Sequence, residues 1–387
     1  MKVLRNTLFA TLLLVAQGAL GMDSITAESA IVVESGTGRV LWERDSASRR
    51  YPASTTKIMT ALLLIENVRM DAVLRAPADV ESVKGSSLDL KPGEEVVAED
   101  LLYALLLRSA NDAAYTVAVN IAGSQSKFAQ LMNERAKKLG CTGTNFVNPH
   151  GLHDRNHYST AQDLVLIARE AMKNETFAKV AGSKFRFIDR SMNEEDTFLR
   201  SHNSFLKNRA DATGIKTGWT IPAGRCFVGS AERDGLSVIT VVLKSTSWDA
   251  DSNVLADWAF ANWEMGTVIA PDQVLLNAPV KEGERLNVPL AAAEPLRMLH
   301  ERGADDLSYK VVRTNVTATA PLRRGDVLGT VTVVDQDGTE HAIPVYAAQD
   351  VLVAKFSLGG DALAPTFILI VGVLMGAAWF VRRRVAR

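Results

Sequence analysis

A chain of 387 residues has room for about two domains. Its 43 basic and 44 acidic residues nearly cancel, to a net charge of −1, and they are scattered rather than blocked. With 47% hydrophobic and 22% charged residues, global disorder is excluded, and the charge pattern leaves no footprint for nucleic acid.

In chain order, the first segment, "MKVLRNTLFATLLLVAQGALG", has Lys2 and Arg5, then an apolar run, then small residues to Gly21. This tripartite layout predicts a secretory signal peptide over 1–21. Residues 28–44, "ESAIVVESGTGRVLWER", read as a hairpin around Gly36-Thr-Gly38. The apolar periodicity predicts helices over 53–67, 99–122 and 124–139. From residue 212, "TGIKTGWT", "CFVGSAER" and "LSVITVVLK" are three β-rich runs, the last two joined at Arg233-Asp234-Gly235, and a helix follows from Trp248. Strands at both ends with helices between predict one sheet, closed by pairing of the first and last segments and covered by helices.

From about residue 270 the chain turns to strands and turns, with a hairpin around Asp337-Gly338. This predicts a small all-β domain. An uncharged run from Ala364 to Val381, followed by Arg382, Arg383 and Arg384, is long enough to nearly cross a bilayer core. The positive-inside rule puts those arginines in the cytoplasm and the bulk of the chain outside. Cys141 and Cys226 carry no metal-site spacing, and an exported pair or two buried thiols are both open readings.

Ser54 and Lys57 stand three apart at the start of the apolar helix "STTKIMTALLLIEN", and so share a face. Desolvation there would make the neutral amine of Lys57 accessible near neutral pH, so the pair reads as a nucleophile with its base. Ser-x-x-Lys also occurs at Ser124/Lys127 and Ser204/Lys207, so the spacing alone is weak. Ser109-Ala110-Asn111 and the single Lys-Thr-Gly, Lys216-Thr217-Gly218, complete an ordered set.

Each member has a physical task. Ser109 can relay a proton toward the leaving amine, and Asn111 offers an amide to a peptide backbone. Lys216 and Thr217 can hold a terminal carboxylate. Gly218 leaves room for substrate along its strand, and the N–H groups of Ser54 and Trp219 suit an oxyanion.

The order of these elements is shared by penicillin-binding proteins and serine β-lactamases. "ASTTKIMTALL", "LLRSANDAA", "NFVNPHGLHD" and "ATGIKTGWT" resemble the low-molecular-mass penicillin-binding proteins, exported serine D-alanyl-D-alanine carboxypeptidases, over nearly the whole chain. The resemblance implies an α/β (α+β) transpeptidase-like fold: an antiparallel sheet covered by helices, plus a C-terminal all-β domain and a membrane helix. Its domains would be a catalytic domain over 22–268, a β-rich domain over 269–358, an anchor over 364–381 and a basic tail over 382–387.

It further implies Ser54 as acylated nucleophile, Lys57 as proton acceptor, Ser109 as a second catalytic serine and Lys216 as substrate-binding. Asn111, Thr217, Gly218, Trp219 and His150 complete the expected substrate-binding set. The implied partners are peptidoglycan stem peptides ending in D-alanyl-D-alanine, and β-lactams as covalent inhibitors; no cofactor and no metal are expected.

The competing readings are a penicillin or wall-peptide binder without turnover, a β-lactamase and a metal peptidase. Residues 141–154 contain no glutamate to activate a deacylating water. His150, His153 and His157 have helical spacing, but Pro149 and Gly151 break such a helix, so they read as loop and polar-surface histidines. Trp248, Trp258 and Trp263 read as packing residues.

Overall fold

In the computed structural model, residues 21–304, 308–335 and 338–355 are described. The expected membrane anchor lies outside them, as does all but the last residue of the expected signal peptide. Among the described residues no helix is long and apolar enough to cross a membrane.

The chain forms two compact units. The first runs to Gly266 and takes back the segment that begins at Leu299; the second begins at Thr267. At the centre of the first is a five-stranded antiparallel sheet. Its strands are β1 (Ser29–Glu34), β2 (Val40–Arg44), β3 (Ala212–Thr220), β4 (Gly224–Arg233) and β5 (Leu236–Ser245), in spatial order β2-β1-β5-β4-β3. The first segment pairs with the last, Ser29 opposite Leu243 and Glu34 opposite Val238.

Why β1 and β5 read as apolar runs follows from their two faces. On β1, Ile31 and Val33 enter one hydrophobic cluster, while Ala30 and Val32 enter another. On β5, Ile239, Val241 and Leu243 join the first cluster, and Val238 and Val242 the second. With period-two alternation feeding two cores, both faces of these two strands are mainly apolar, Thr240 being a buried exception.

The first cluster is filled by α1 (Lys57–Asn67), α2 (Asn111–Ala122) and α3 (Ala161–Met172). The second is filled by α4 (Trp248–Asn262). Every residue of α1 from Lys57 to Leu64 is buried, so α1 is a central helix rather than an amphipathic one. Truncating one of its leucines to alanine costs about 2–5 kcal/mol in such a setting.

Two expected helices are interrupted. The segment before Lys57 is a 3₁₀ turn over Ala53–Thr56. The helix Ala98–Tyr103 widens into a π turn over Ala104–Arg108 and ends at Ser109, whose φ of 63° is left-handed. A second helix, α2, then starts at Asn111.

The second unit holds a five-stranded antiparallel sheet of β6 (Val274–Pro279), β7 (Asn287–Ala292), β8 (Lys310–Val316), β9 (Val327–Val334) and β10 (Glu340–Ala347), in the order β6-β7-β10-β9-β8. β9 and β10 pair as the expected hairpin, with Val331 opposite Ile343. Val288, Leu290, Val331, Val333, Ile343 and Val345 form its core.

Candidate active site

The sheet ends at β3, and this edge faces the 3₁₀ turn that carries Ser54. A Cβ on Gly218 would lie 2.9 Å from the Ser54 backbone nitrogen and 3.0 Å from that of Thr55, so the approach needs glycine. Between the two runs a cleft of about 470 Å³. Ser54, Ser109, Thr217, Gly218 and Trp219 line it. Lys57 and Lys216 are fully buried behind it, at 0% and 1% exposure.

Lys57 Nζ lies 3.0 Å from Ser54 Oγ, 2.6 Å from Asn111 Oδ1 and 2.7 Å from the His150 carbonyl oxygen. The Asn111 amide is oriented by its own nitrogen, which donates to the Lys84 carbonyl at 2.7 Å. Its oxygen is therefore the face turned to Lys57. Burial pushes Lys57 well below the usual lysine range; the Lys216 charge adds to this, and Asp112 opposes it. Burial lowers Lys216 to about 7.

A neutral Lys57 has two N–H groups and one lone pair. Two of its three neighbours, Asn111 Oδ1 and the His150 carbonyl, can only accept. The lone pair is left for the Ser54 hydroxyl proton.

Asn111 and Asp112 also build the far wall. The Asn111 N–H donates to the Ser86 carbonyl at 2.7 Å. The buried Asp112 carboxylate accepts from Ser87 Oγ at 2.7 Å and from the N–H groups of Leu88 and Leu90 at 2.9 and 3.0 Å. Arg190, paired with Glu94 at 2.8 Å, holds the Leu88 carbonyl from behind. Ser86 thus reaches the cleft.

His150 meets the site through its backbone and is not among the residues lining the cleft. Its ring is buried, accepts from the Leu152 N–H at 3.2 Å, and is driven down to about 3 by burial and by Lys57. His157 is buried too, so only His153, edge-on to Tyr51 at 4.6 Å, is the surface histidine that the sequence predicted. The correction has a simple cause: the loop lies against α1, with Thr60 Oγ1 donating to the Pro149 carbonyl at 2.5 Å. Among the described residues no group of histidine, cysteine and carboxylate side chains is placed to hold a metal.

Four lining residues carry no motif: Ser86, His202, Arg225 and Trp248. Trp248 does pack, at 4.5 Å from the Phe227 ring, but it also borders the cleft. Arg225 stands opposite Trp219 across β3 and β4. The lining holds no carboxylate and one permanent cation, which suits an anionic substrate. Cys141 and Cys226 are free thiols, and burial pushes both up to about 12.

The sequence pattern of D-alanyl-D-alanine carboxypeptidases, peptidase family S11, matches residues 16–247, and that of the penicillin-binding protein 5 C-terminal domain matches residues 263–352. The chain belongs to the S11 D-alanyl-D-alanine carboxypeptidase family. It is 34% identical over 340 residues to the D-alanyl-D-alanine carboxypeptidase DacF of Bacillus subtilis, covering 85% of this chain and 87% of that one. To DacC of Escherichia coli it is 32% identical, over 84% of each chain.

Penicillin-binding protein 5 of Haemophilus influenzae superposes with a TM-score of 0.64 at 25% identity, over 85% of this chain and 98% of that one. A serine-to-alanine mutant of the Streptomyces K15 DD-transpeptidase superposes with a TM-score of 0.58 at 31% identity. There, 62% of this chain covers 99% of the other. The fold is thus the mixed α/β penicillin-binding transpeptidase fold with a C-terminal β domain. The protein is a low-molecular-mass penicillin-binding protein and a serine D-alanyl-D-alanine carboxypeptidase.

Proposed function

We propose that Ser54 is the acylated nucleophile and neutral Lys57 its base, in removal of the terminal D-alanine from peptidoglycan stem peptides. The observation that carries this is the environment of Lys57 Nζ: fully buried, 3.0 Å from Ser54 Oγ, with its two N–H groups taken by carbonyl-type acceptors. The lone pair takes the serine proton as Oγ attacks the carbonyl of the penultimate D-alanine.

The N–H groups of Ser54 and Trp219 receive the oxyanion, and Ser109 passes a proton to the leaving amine. Lys216 and Thr217 hold the terminal carboxylate, and Gly218 keeps the strand open. Asn111, whose oxygen is held by Lys57 and one amide hydrogen by the Lys84 carbonyl, offers its second N–H to the acyl-side peptide. Water then releases the acyl group, with Lys57 again the base. β-Lactams present the same carbonyl, but their leaving nitrogen stays tethered, which favours a long-lived Ser54 ester.

The proposal extends to place. The N-terminal tripartite segment supports export, and the run over 364–381 with its arginines supports a C-terminal tether that leaves the cleft on the outer side. Partition of the full chain with membranes tests the tether.

The decisive assay for the chemistry is D-alanine release from diacetyl-L-lysyl-D-alanyl-D-alanine. Ser54→Ala should lower it by about a thousandfold or more and abolish penicillin labelling. Labelling retained by Ser54→Ala would assign the nucleophile to another serine.

A further inference from the structure

Beyond the cleft, the first unit has a second concavity of about 260 Å³. Arg49, Arg50, Arg155 and Lys244 line it, with Tyr158 and Pro222 between them. These four cations face little compensation. Glu28 takes Lys244 at 2.6 Å and Arg50 at 3.3 Å. Arg49 lies over the Tyr158 ring at 4.7 Å, and neither it nor Arg155 has an ion-pair partner among the described residues. The adjacent Asp154 carboxylate accepts from the Asn156 N–H at 2.7 Å. Two exposed guanidiniums are thus left over in a hollow that also has an aromatic wall.

Its position along the chain is as informative as its charge. If Lys216 and Thr217 hold the terminal carboxylate and Ser54 attacks at the level of Gly218, the substrate direction is fixed. The leaving residue lies toward Lys216, and the acyl side runs the other way, past Trp219 and Thr220. The turn that follows carries Pro222 into the basic hollow, three residues beyond Trp219. Three residues span at most about 10 Å, so the hollow lies within the reach of a short peptide. Arg225, in the cleft opposite Trp219, lies on the same course.

We propose that this hollow is an acyl-side subsite that binds a carboxylate carried two or three residues upstream of the D-alanyl-D-alanine unit, with Arg49 and Arg155 as its principal donors. The assignment rests on the Ser54 reading for its direction. Guanidinium forks match a carboxylate in geometry as well as charge, and the partial exposure makes the contact salt-sensitive.

The test compares diacetyl-L-lysyl-D-alanyl-D-alanine with the same tripeptide carrying a succinyl group on the α-amine. At low ionic strength the succinyl substrate should have about tenfold higher kcat/KM, and about 0.5 M salt should erase that advantage. In R49Q/R155Q the advantage should vanish while the diacetyl substrate is turned over as by wild type, which also reports that the variant is folded.

An equal ratio in wild type and variant overturns the subsite. So does an advantage that survives R49Q/R155Q and disappears in Arg225→Gln, because the carboxylate would then sit in the cleft itself. Inhibition of both substrates alike by soluble poly(glycerol phosphate), with no succinyl advantage, would make the hollow a polymer site and overturn it too.

Calorimetric binding of the two tripeptides to Ser54→Ala protein separates this from the chemistry. Tighter binding of the succinyl peptide supports the subsite even where turnover fails, and equal binding overturns it even where turnover succeeds.

Discussion

Lys57 and Lys216 are both buried beside one cleft, and the first consequence is an order of titration. Lys57 bears both the burial and the Lys216 charge, so it loses its proton first. Lys216 then titrates beside a neutral amine, at about 7 instead of 10.5. The proposed chemistry needs that intermediate state, with Lys57 neutral and Lys216 charged. Below it the base is protonated; above it the carboxylate holder is lost. For the free enzyme kcat/KM should therefore fall on the alkaline side with an apparent pKa of about 7.

A bound carboxylate favours protonated Lys216, so the limb in kcat should lie at higher pH than the limb in kcat/KM. Lys216→Arg keeps its proton throughout, and its alkaline limb should disappear even if its rate is lower. A pH profile of D-alanine release on both proteins checks this, and an unmoved limb in Lys216→Arg would assign the titration to another group.

Among the elements, the loop from Asn145 to Tyr158 matters most, because its carbonyl at His150 holds Lys57. It closes on itself through the Asn145 and Tyr158 backbones, at 2.8 and 2.9 Å, and is fixed to the 3₁₀ turn through His157. The Val147 N–H donates to His157 Nδ1 at 3.1 Å, so the neutral ring has its proton on Nε2, donated to Thr56 Oγ1 at 2.8 Å. Gly151 lies against the same turn at φ +85°, where a Cβ would fall 1.9 Å from the Ala53 carbonyl.

Burial holds His157 down at about 4 from 6.5. Its folded pKa is depressed, so the unfolded chain binds the extra proton as pH drops below 6.5. Stability is full above 6.5, declines through the interval, and is lost by about 3 kcal/mol once pH passes about 4. His157→Gln should be less stable at pH 7 yet lose less on acidification, since the buried ring that must take up the proton is gone and its push on His150 goes with it. Urea unfolding at pH 7 and pH 4 measures the difference; parallel losses would mean that His157 is not the acid-sensitive contact.

This loop also shows what a sequence makes legible. Its glycine and proline excluded a helix, and the β1 and β5 runs were readable because both of their faces enter apolar clusters. Ser54, Lys57, Ser109, Asn111 and Lys216 stood out because chemistry needs those residue types in that order. The left-handed turn at Ser109 did not, since a π turn arises from packing and leaves the apolar periodicity intact. Asp112 was silent because its partners at 87–90 are over twenty residues away, and a lone Arg225 in a strand looks like any solvated charge.

At the scale of the whole molecule, the question is what the second unit contributes to catalysis. The Streptomyces K15 protein is matched over 99% of its length by 62% of this chain, so a related fold stands without a counterpart to the rest. A chain ending at Gly266 should therefore keep D-alanine release within about threefold, the scatter expected when no contact to substrate is removed. It should also be less stable, because the cut removes residues that belong to the first unit. Leu299 packs on the cluster around Trp263. The Arg302 N–H donates to the Asn262 carbonyl at 2.7 Å, its guanidinium donates to the Phe260 carbonyl at 3.2 Å, and it pairs with Glu264 at 2.7 Å.

These contacts satisfy carbonyls at the C-terminal end of α4, where no intrahelical donor is left. Losing them together with the Leu299 side chain costs about 2–3 kcal/mol, or roughly 4–12 °C in melting temperature for a unit of this size. A third chain, ending at Lys355, keeps both units and lacks only the proposed tether. It should match the full chain in rate and melting temperature but leave the membrane fraction. A folded Gly266 chain without activity would move part of the substrate site into the second unit, and a Lys355 chain that still pellets with membranes would place the anchor elsewhere.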